Sequence, residues 1–168
     1  MWAIWDAIGD QAFPQAGTQA TTGHSAPYFI WECALYSGAQ PVTNLSVSVG
    51  DTVYVETSVG SFSGGTTMHF FYENLSAGTF TDLYEACGSF STAPAAAWFS
   101  HEVNQNLGIW GWGTFNEYQV QSAAAYSSLQ GGYINNFNYI QDLIQYNSTE
   151  IASPGDIDSY GDYYMCNC

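Results

Sequence analysis

DTVYVETSV (residues 51–59) and TTMHFFYENL (66–75) are rich in β-branched and aromatic residues and are joined through a Gly- and Ser-rich turn between Ser61 and Gly65. Their period is two, the signature of strands with one buried face, and the turn separates them. Working outward, the same reading applies to PYFIWECALY (27–36), TNLSVSVG (43–50), AAAWFSHEV (95–103), TFNEYQV (114–120), GGYINNFNYI (131–140) and SYGDYYMC (159–166). Further turns are marked by Val49-Gly50-Asp51 and by Ser153-Pro154-Gly155-Asp156. Only QSAAAYSSL (121–129) offers a turn or two of helix, and it lacks a strong amphipathic period. Many short strands with regular turn signals predict an all-β chain, an antiparallel β-sandwich or barrel with little helix. There is no internal repeat and no dividing linker, so residues 1–168 are expected to form one domain.

Composition narrows the function. The chain has 15 acidic side chains and no Lys or Arg, a formal net charge of −15. Ordinary usage would supply roughly 20 cations at this length. Nucleic-acid affinity begins with Lys and Arg on phosphate, and peripheral membrane anchoring with polybasic segments, so neither partner is expected. No apolar run approaches the length of a membrane helix. With 46% hydrophobic and 17% aromatic residues the chain can still bury a sizeable core. The charge balance suits an acidic exterior, where protonation brings the molecule toward neutrality rather than toward positive self-repulsion. At neutral pH the carboxylates repel one another with no ammonium or guanidinium to relieve them.

Cys33, Cys87, Cys166 and Cys168 permit two disulfides in three connectivities and favour an oxidising, extracellular compartment. Cys166 and Cys168 share a face of the last strand, so bonds to Cys33 or Cys87 are expected ahead of a bond between the two. Sequons at Asn44, Asn74 and Asn147 fit a secreted protein. The start, MWAIWDAIGD, has neither a basic region nor a continuous apolar stretch, so no secretory signal is read there.

No spacing gives a serine, cysteine or zinc catalytic set. His24, His69 and His101 are too scattered for a metal motif, and no Gly-rich loop opens a helix, so neither metal nor other cofactor is expected. Asp156, Asp158 and Asp162 lack the closing Glu of a calcium loop and read as a solvated turn. What stands out is a glutamine and a few carboxylates set among aromatics. WDAIGDQAFPQAGT (5–18) is followed by FIWECALY (29–36), VSVGDTVYV (47–55), ENLSAGTF (73–80) and AWFSHEV (97–103).

In that order these segments resemble the eqolisins, the acid-acting glutamic endopeptidases built on a concanavalin-like β-sandwich. The family pattern runs W-x-G-I-x-G-D, Q-T-G, W-Y-E-W, a V-x-x-G-D strand, an N-x-T-x-G turn and A-E-x-I-x-E. Trp5, Ile8, Gly9 and Asp10 fall on the first motif, Gln15 and Gly17 on the second, Glu32 on the third and Glu102 on the last Glu. NSTEIASPGDIDSYGDYY (147–164) is similar to the closing segment. The chain departs at Ala16, where the family has Thr, at Trp98, where it has the first Glu of the A-E pair, and in a shorter loop between Asp10 and Gln15. The family strands that precede the tryptophan loop have no counterpart, which implies an open sheet edge.

The resemblance implies a secreted acid endopeptidase with Gln15 and Glu102 catalytic and Trp5, Asp10 and Glu32 binding substrate. The chemistry is self-sufficient. Metal-free peptide hydrolysis without a nucleophilic side chain needs a base to activate water and a donor for the tetrahedral oxyanion. A Glu that stays ionised in acid supplies the first, and a Gln amide supplies N–H donors at any pH. Glu32, between Trp31 and Cys33, is expected to orient Gln15 or to bind the substrate backbone. His101 alternates with Glu102 and is not expected to act. Two other readings fit the same sandwich. One is a peptide- or glycan-binding module in which Trp2, Trp5, Trp31, Trp98, Trp110 and Trp112 stack on ligand, and the other is a structural subunit that self-associates through sheet edges.

Overall fold

The computed structural model describes residues 2–6, 14–20, 25–33, 38–62, 65–87, 96–100, 117–126, 131–137, 144–146 and 149–166. The chain divides into two compact units, Met1–Glu102 and Val103–Cys168. All described sheets are antiparallel, and one 3-10 turn, Ile134–Asn136, is the sole helical element among the described residues. No described helix is long and apolar enough to cross a membrane.

The first unit is an antiparallel β-sandwich. Strands β1 (Trp2–Asp6), β2 (Gln15–Gln19), β3 (Tyr28–Glu32) and β4 (Gln40–Ser46) join β8 (Ala96–Ser100) in a five-stranded sheet of order β4-β3-β2-β1-β8. Strands β5 (Val53–Phe62), β6 (Gly65–Asn74) and β7 (Thr79–Glu85) form a three-stranded meander. The strands expected at 51–59 and 66–75 are β5 and β6, and they form a hairpin paired without a slip from Val53↔Asn74 to Phe62↔Gly65. The turn at 49–51 is present, with Gly50 at φ +94°. Strand β7 carries FTDLYE in plain alternation and extends the meander beyond what the sequence reading had marked.

Period two decides which side chains meet between the layers. Met68, Phe70 and Tyr72 of β6 pack with Ala16, Phe29, Val42 and Leu45 of the larger sheet, and Val53, Val55, Val59, Trp31 and Leu83 close around them. Phe29 meets Tyr72 edge-on at 5.3 Å between ring centroids, and Trp31 lies 5.8 Å from Phe70. Each large side chain buried this way contributes about 1.5–3 kcal/mol. The Tyr72 hydroxyl reaches the other layer and donates to the Ile30 carbonyl over 2.9 Å, so its polar end is satisfied inside the core.

The Cys33–Cys87 disulfide ties the residue after β3 to the segment after β7, and so joins the two layers at one end of the sandwich. Its Cα atoms are 4.8 Å apart across a sequence separation of 54. This corrects the expected pairing. With Cys33 and Cys87 bonded to each other, neither is available to Cys166 or Cys168, because the ends of β3 and β7 meet across the core.

In the second unit, β9 (Glu117–Val120), β12 (Ile144–Tyr146), β13 (Thr149–Pro154) and β14 (Tyr163–Cys166) form a sheet of order β12-β13-β14-β9. A separate ribbon pairs β10 (Ala124–Tyr126) with β11 (Gly131–Tyr133). Residues 124–126 are therefore strand where a turn of helix had been the reading, because the weak helical pattern yields to pairing with the 131–133 segment. Val120, Ala123, Tyr163 and Met165 are buried. Around the acidic turn, Asp158 Oδ1 accepts from the backbone N–H of Tyr160 and Asp162, and Asp162 Oδ1 accepts from that of Ser122. Those carboxylates cap loop N–H groups, which gives them a structural use.

Candidate functional site

Gln15 begins β2 and Glu32 ends β3, and antiparallel register sets them directly opposite each other. Gln15 Nε2 donates to Glu32 Oε2 over 2.8 Å. The second oxygen, Oε1, accepts the backbone N–H of Gly38 at 3.1 Å. A carboxylate receiving donors on both oxygens is an acceptor throughout, and that fixes the orientation of the Gln15 amide with Nε2 toward Glu32. Gly38 reaches this position at φ +72°, a conformation that any side chain would strain although the space around it is open.

Alternation separates this pair from the sandwich core. Ala16 and Trp31 pack toward the β5–β7 layer, so Gln15, Ile30 and Glu32 take the opposite face of the five-stranded sheet. All three are buried, with Gln15 at 6% exposure and Glu32 at 8%. A buried carboxylate without a hydrogen-bonded partner is costly, and here the partner is a neutral amide held by the ladder itself. Glu32 is also followed at once by Cys33, whose disulfide fixes that end of β3.

Register places the neighbouring strands. Gln15 pairs with Ile4 of β1, and Ile4 pairs with Trp98 of β8, so one row crosses the sheet as Glu32, Gln15, Ile4 and Trp98. Trp5 lies on β1 opposite Ala97. Asp10, His101 and Glu102 lie outside the described residues; Glu102 is two residues past the end of β8.

Of the residues singled out in the sequence, the structure thus brings Gln15 and Glu32 together. Gln15 is the first residue of a strand. QAGTQ has no period-two pattern of its own, and it becomes a strand by pairing with β1 and β3. Sequence reasoning passed over Gly38, the donor that holds the other carboxylate oxygen. Its only local mark is the Gly in the stretch SGAQP at 37–41.

No family model matches the chain, and no curated protein matches it. Among solved structures, the fold is similar to that of aspergilloglutamic peptidase from Aspergillus niger, with a TM-score of 0.73 over 99% of this chain and 96% of that chain. The two sequences are 15% identical across that match, a level at which the likeness shows a shared fold.

Proposed function

We propose that this chain is a secreted, acid-acting glutamic endopeptidase whose residues 1–168 form one catalytic domain, with Gln15 and Glu102 as the working pair. The observation that carries the reading is the buried bond between Gln15 Nε2 and Glu32 Oε2, which holds a neutral amide in one orientation on the sheet face away from the core. The shared fold with a glutamic peptidase supports it. One Gln15 N–H is committed to Glu32, and the other serves the oxyanion.

In the reaction, Glu102 takes a proton from water as the hydroxyl oxygen bonds to the scissile carbonyl carbon. The carbonyl electrons move to oxygen, where Gln15 donates a hydrogen bond. The C–N bond then breaks, and Glu102 returns the proton to the leaving amine. Trp98 holds the β8 position in the row of Gln15, so the base comes from farther along the chain. Glu102, four residues on, is the carboxylate that the family pattern selects. Glu32 is a positioning residue, and Trp5 and Asp10 bind the substrate polypeptide.

The test is digestion of a denatured protein from pH 2 to 7. Wild type cleaves in the acid range, Glu102→Gln abolishes cleavage, and Gln15→Ala lowers turnover by about 10²–10³. Absence of cleavage by the wild type at every pH overturns the reading.

A further inference from the structure

The outer face of the β5–β7 meander is not the polar surface that a solvated sheet normally presents. Alternation sends Tyr54, Glu56 and Ser58 of β5, His69, Phe71 and Glu73 of β6, and Phe80, Asp82 and Tyr84 of β7 to this side, away from Met68, Phe70 and Tyr72. Register arranges them in three rows: Tyr54–Glu73–Phe80, Glu56–Phe71–Asp82, and Ser58–His69–Tyr84. Rings and carboxylates therefore alternate across the first two rows, and the third carries the His69 and Tyr84 rings. Phe71 sits at the centre, with carboxylates on both sides across the strands and Glu73 two residues along.

The rings form a connected surface. Tyr54 meets Phe71 edge-on at 5.9 Å, Phe80 stacks on Phe71 at 6.0 Å, and Tyr84 stacks on the His69 imidazole at 4.5 Å. Phe80 is 69% exposed, and Tyr54 and Tyr84 are exposed as well. Exposed apolar area of this kind marks an interaction surface.

The chemistry of the occupant follows from charge. The Tyr54 hydroxyl donates to Glu56 Oε2 at 2.9 Å and His69 Nε2 lies 3.4 Å from Asp82 Oδ2, but the chain contains no Lys or Arg, so no side-chain ammonium or guanidinium of its own sets a fixed positive charge against Glu56, Glu73 and Asp82. A neutral ligand on the rings brings no counter-charge to these carboxylates, and an anionic one would be repelled. A cation over the exposed Phe80 ring, which stacks on Phe71, meets the negative face of an aromatic and has Glu73 and Asp82 beside it. We propose that this face is a docking surface for a polypeptide segment carrying Lys or Arg side chains, with the stacked Phe71–Phe80 pair as the cation–π platform. The surface belongs to the β5–β7 layer and does not depend on the catalytic assignment.

The experiment uses a fluorescein-labelled peptide of alternating Lys and Gly at pH 7 and low salt, read by anisotropy with the full chain. Saturable binding is expected, and acetylation of the Lys side chains should abolish it. Phe71→Ala and Phe80→Ala leave the net charge untouched and should each weaken binding by about 3- to 30-fold. Glu56→Gln combined with Asp82→Asn should weaken it by at least a comparable factor. Circular dichroism identifies any variant that fails to fold, and Phe80→Ala, at an exposed ring, keeps the test decisive if Phe71→Ala is lost. Equal binding by the ring variants means diffuse attraction to a polyanion and overturns the proposal. Ring-dependent binding of cellohexaose that ignores the carboxylate substitutions also overturns it, in favour of a glycan surface.

Discussion

Gln15 and Glu32 oppose each other on neighbouring strands and share a 2.8 Å hydrogen bond out of contact with bulk water. Burial makes substitution here costly, because removing the amide leaves a carboxylate oxygen without its donor. Gln15→Ala should therefore destabilise the fold by about 1–3 kcal/mol or more, the cost of an unsatisfied buried group. The measurement is urea unfolding, with a lower midpoint and an unchanged slope. Glu32→Gln should cost less, because an amide oxygen can still accept one of the two donors. Gly38→Ala should cost about 1 kcal/mol through its left-handed backbone while leaving Gln15 in place.

The disulfide between Cys33 and Cys87 gives a second prediction. Closing a loop across a sequence separation of 54 stabilises by about 4 kcal/mol in the chain-entropy account. Cys87→Ser should lower stability by an amount of that order. Because Cys33 follows Glu32 directly, the substitution should also loosen the positioning pair. Turnover of the folded variant should fall more than its substrate affinity, a split that steady-state kinetics resolves.

Tyrosine burial predicts an alkaline limit. Desolvation pushes Tyr163 up to about 12 and Tyr72 higher still, from an ordinary value of 10.0. In the unfolded chain both ionise near pH 10, so between the unfolded and folded values the unfolded state holds fewer protons. The contribution to stability is present in full below pH 10 and is lost as pH rises toward 12, by about 1.4 kcal/mol per pH unit for each tyrosine. Unfolding midpoints between pH 9 and 12 should bend downward near pH 10. Tyr72→Phe should soften that bend, at a cost of about 1 kcal/mol for the lost bond to Ile30.

Strands β5 and β6 were legible because each carries a long period-two pattern beside a plain turn and nothing competes with it. Strand β2 was not, since QAGTQ has low strand propensity and becomes a strand by pairing with β1 on one side and β3 on the other. Glu32 was legible as an anomaly, a carboxylate inside an apolar strand. Its partner was legible only through the family pattern, because 17 residues separate Gln15 from Glu32 and register is a tertiary property. The disulfide pairing was misread for a similar reason. Local geometry at Cys166 and Cys168 says nothing about where β3 and β7 end.

Asn74 supplies the last prediction. It is 2% exposed, and its side chain is fully engaged. Nδ2 donates to the Ser46 carbonyl at 3.1 Å and to Asp51 Oδ2 at 2.7 Å, while Oδ1 accepts the Ala77 N–H at 3.1 Å. The bond to Asp51 joins the turn after β4 to the end of β6. The sequon Asn74-Leu75-Ser76 therefore serves as a structural joint, and a glycan on Nδ2 has no place in the folded protein. Asn44, exposed on β4, is the contrasting case. Folded protein from a glycosylating host should carry sugar at Asn44 and none at Asn74, which peptide mass mapping reads directly. The sharper test is Asn74→Asp, which conserves shape while replacing two donors with acceptors. It sets a carboxylate against Asp51 and against a carbonyl, and like charges at that distance cannot both stay ionised. The variant should lose about 2–4 kcal/mol at pH 7. The introduced carboxyl is forced to hold its proton in the folded state, so its folded value rises above its unfolded one. Part of the loss should then be recovered in acid and return as pH climbs. A variant as stable as wild type at pH 7 would show that Asn74 does not hold the joint.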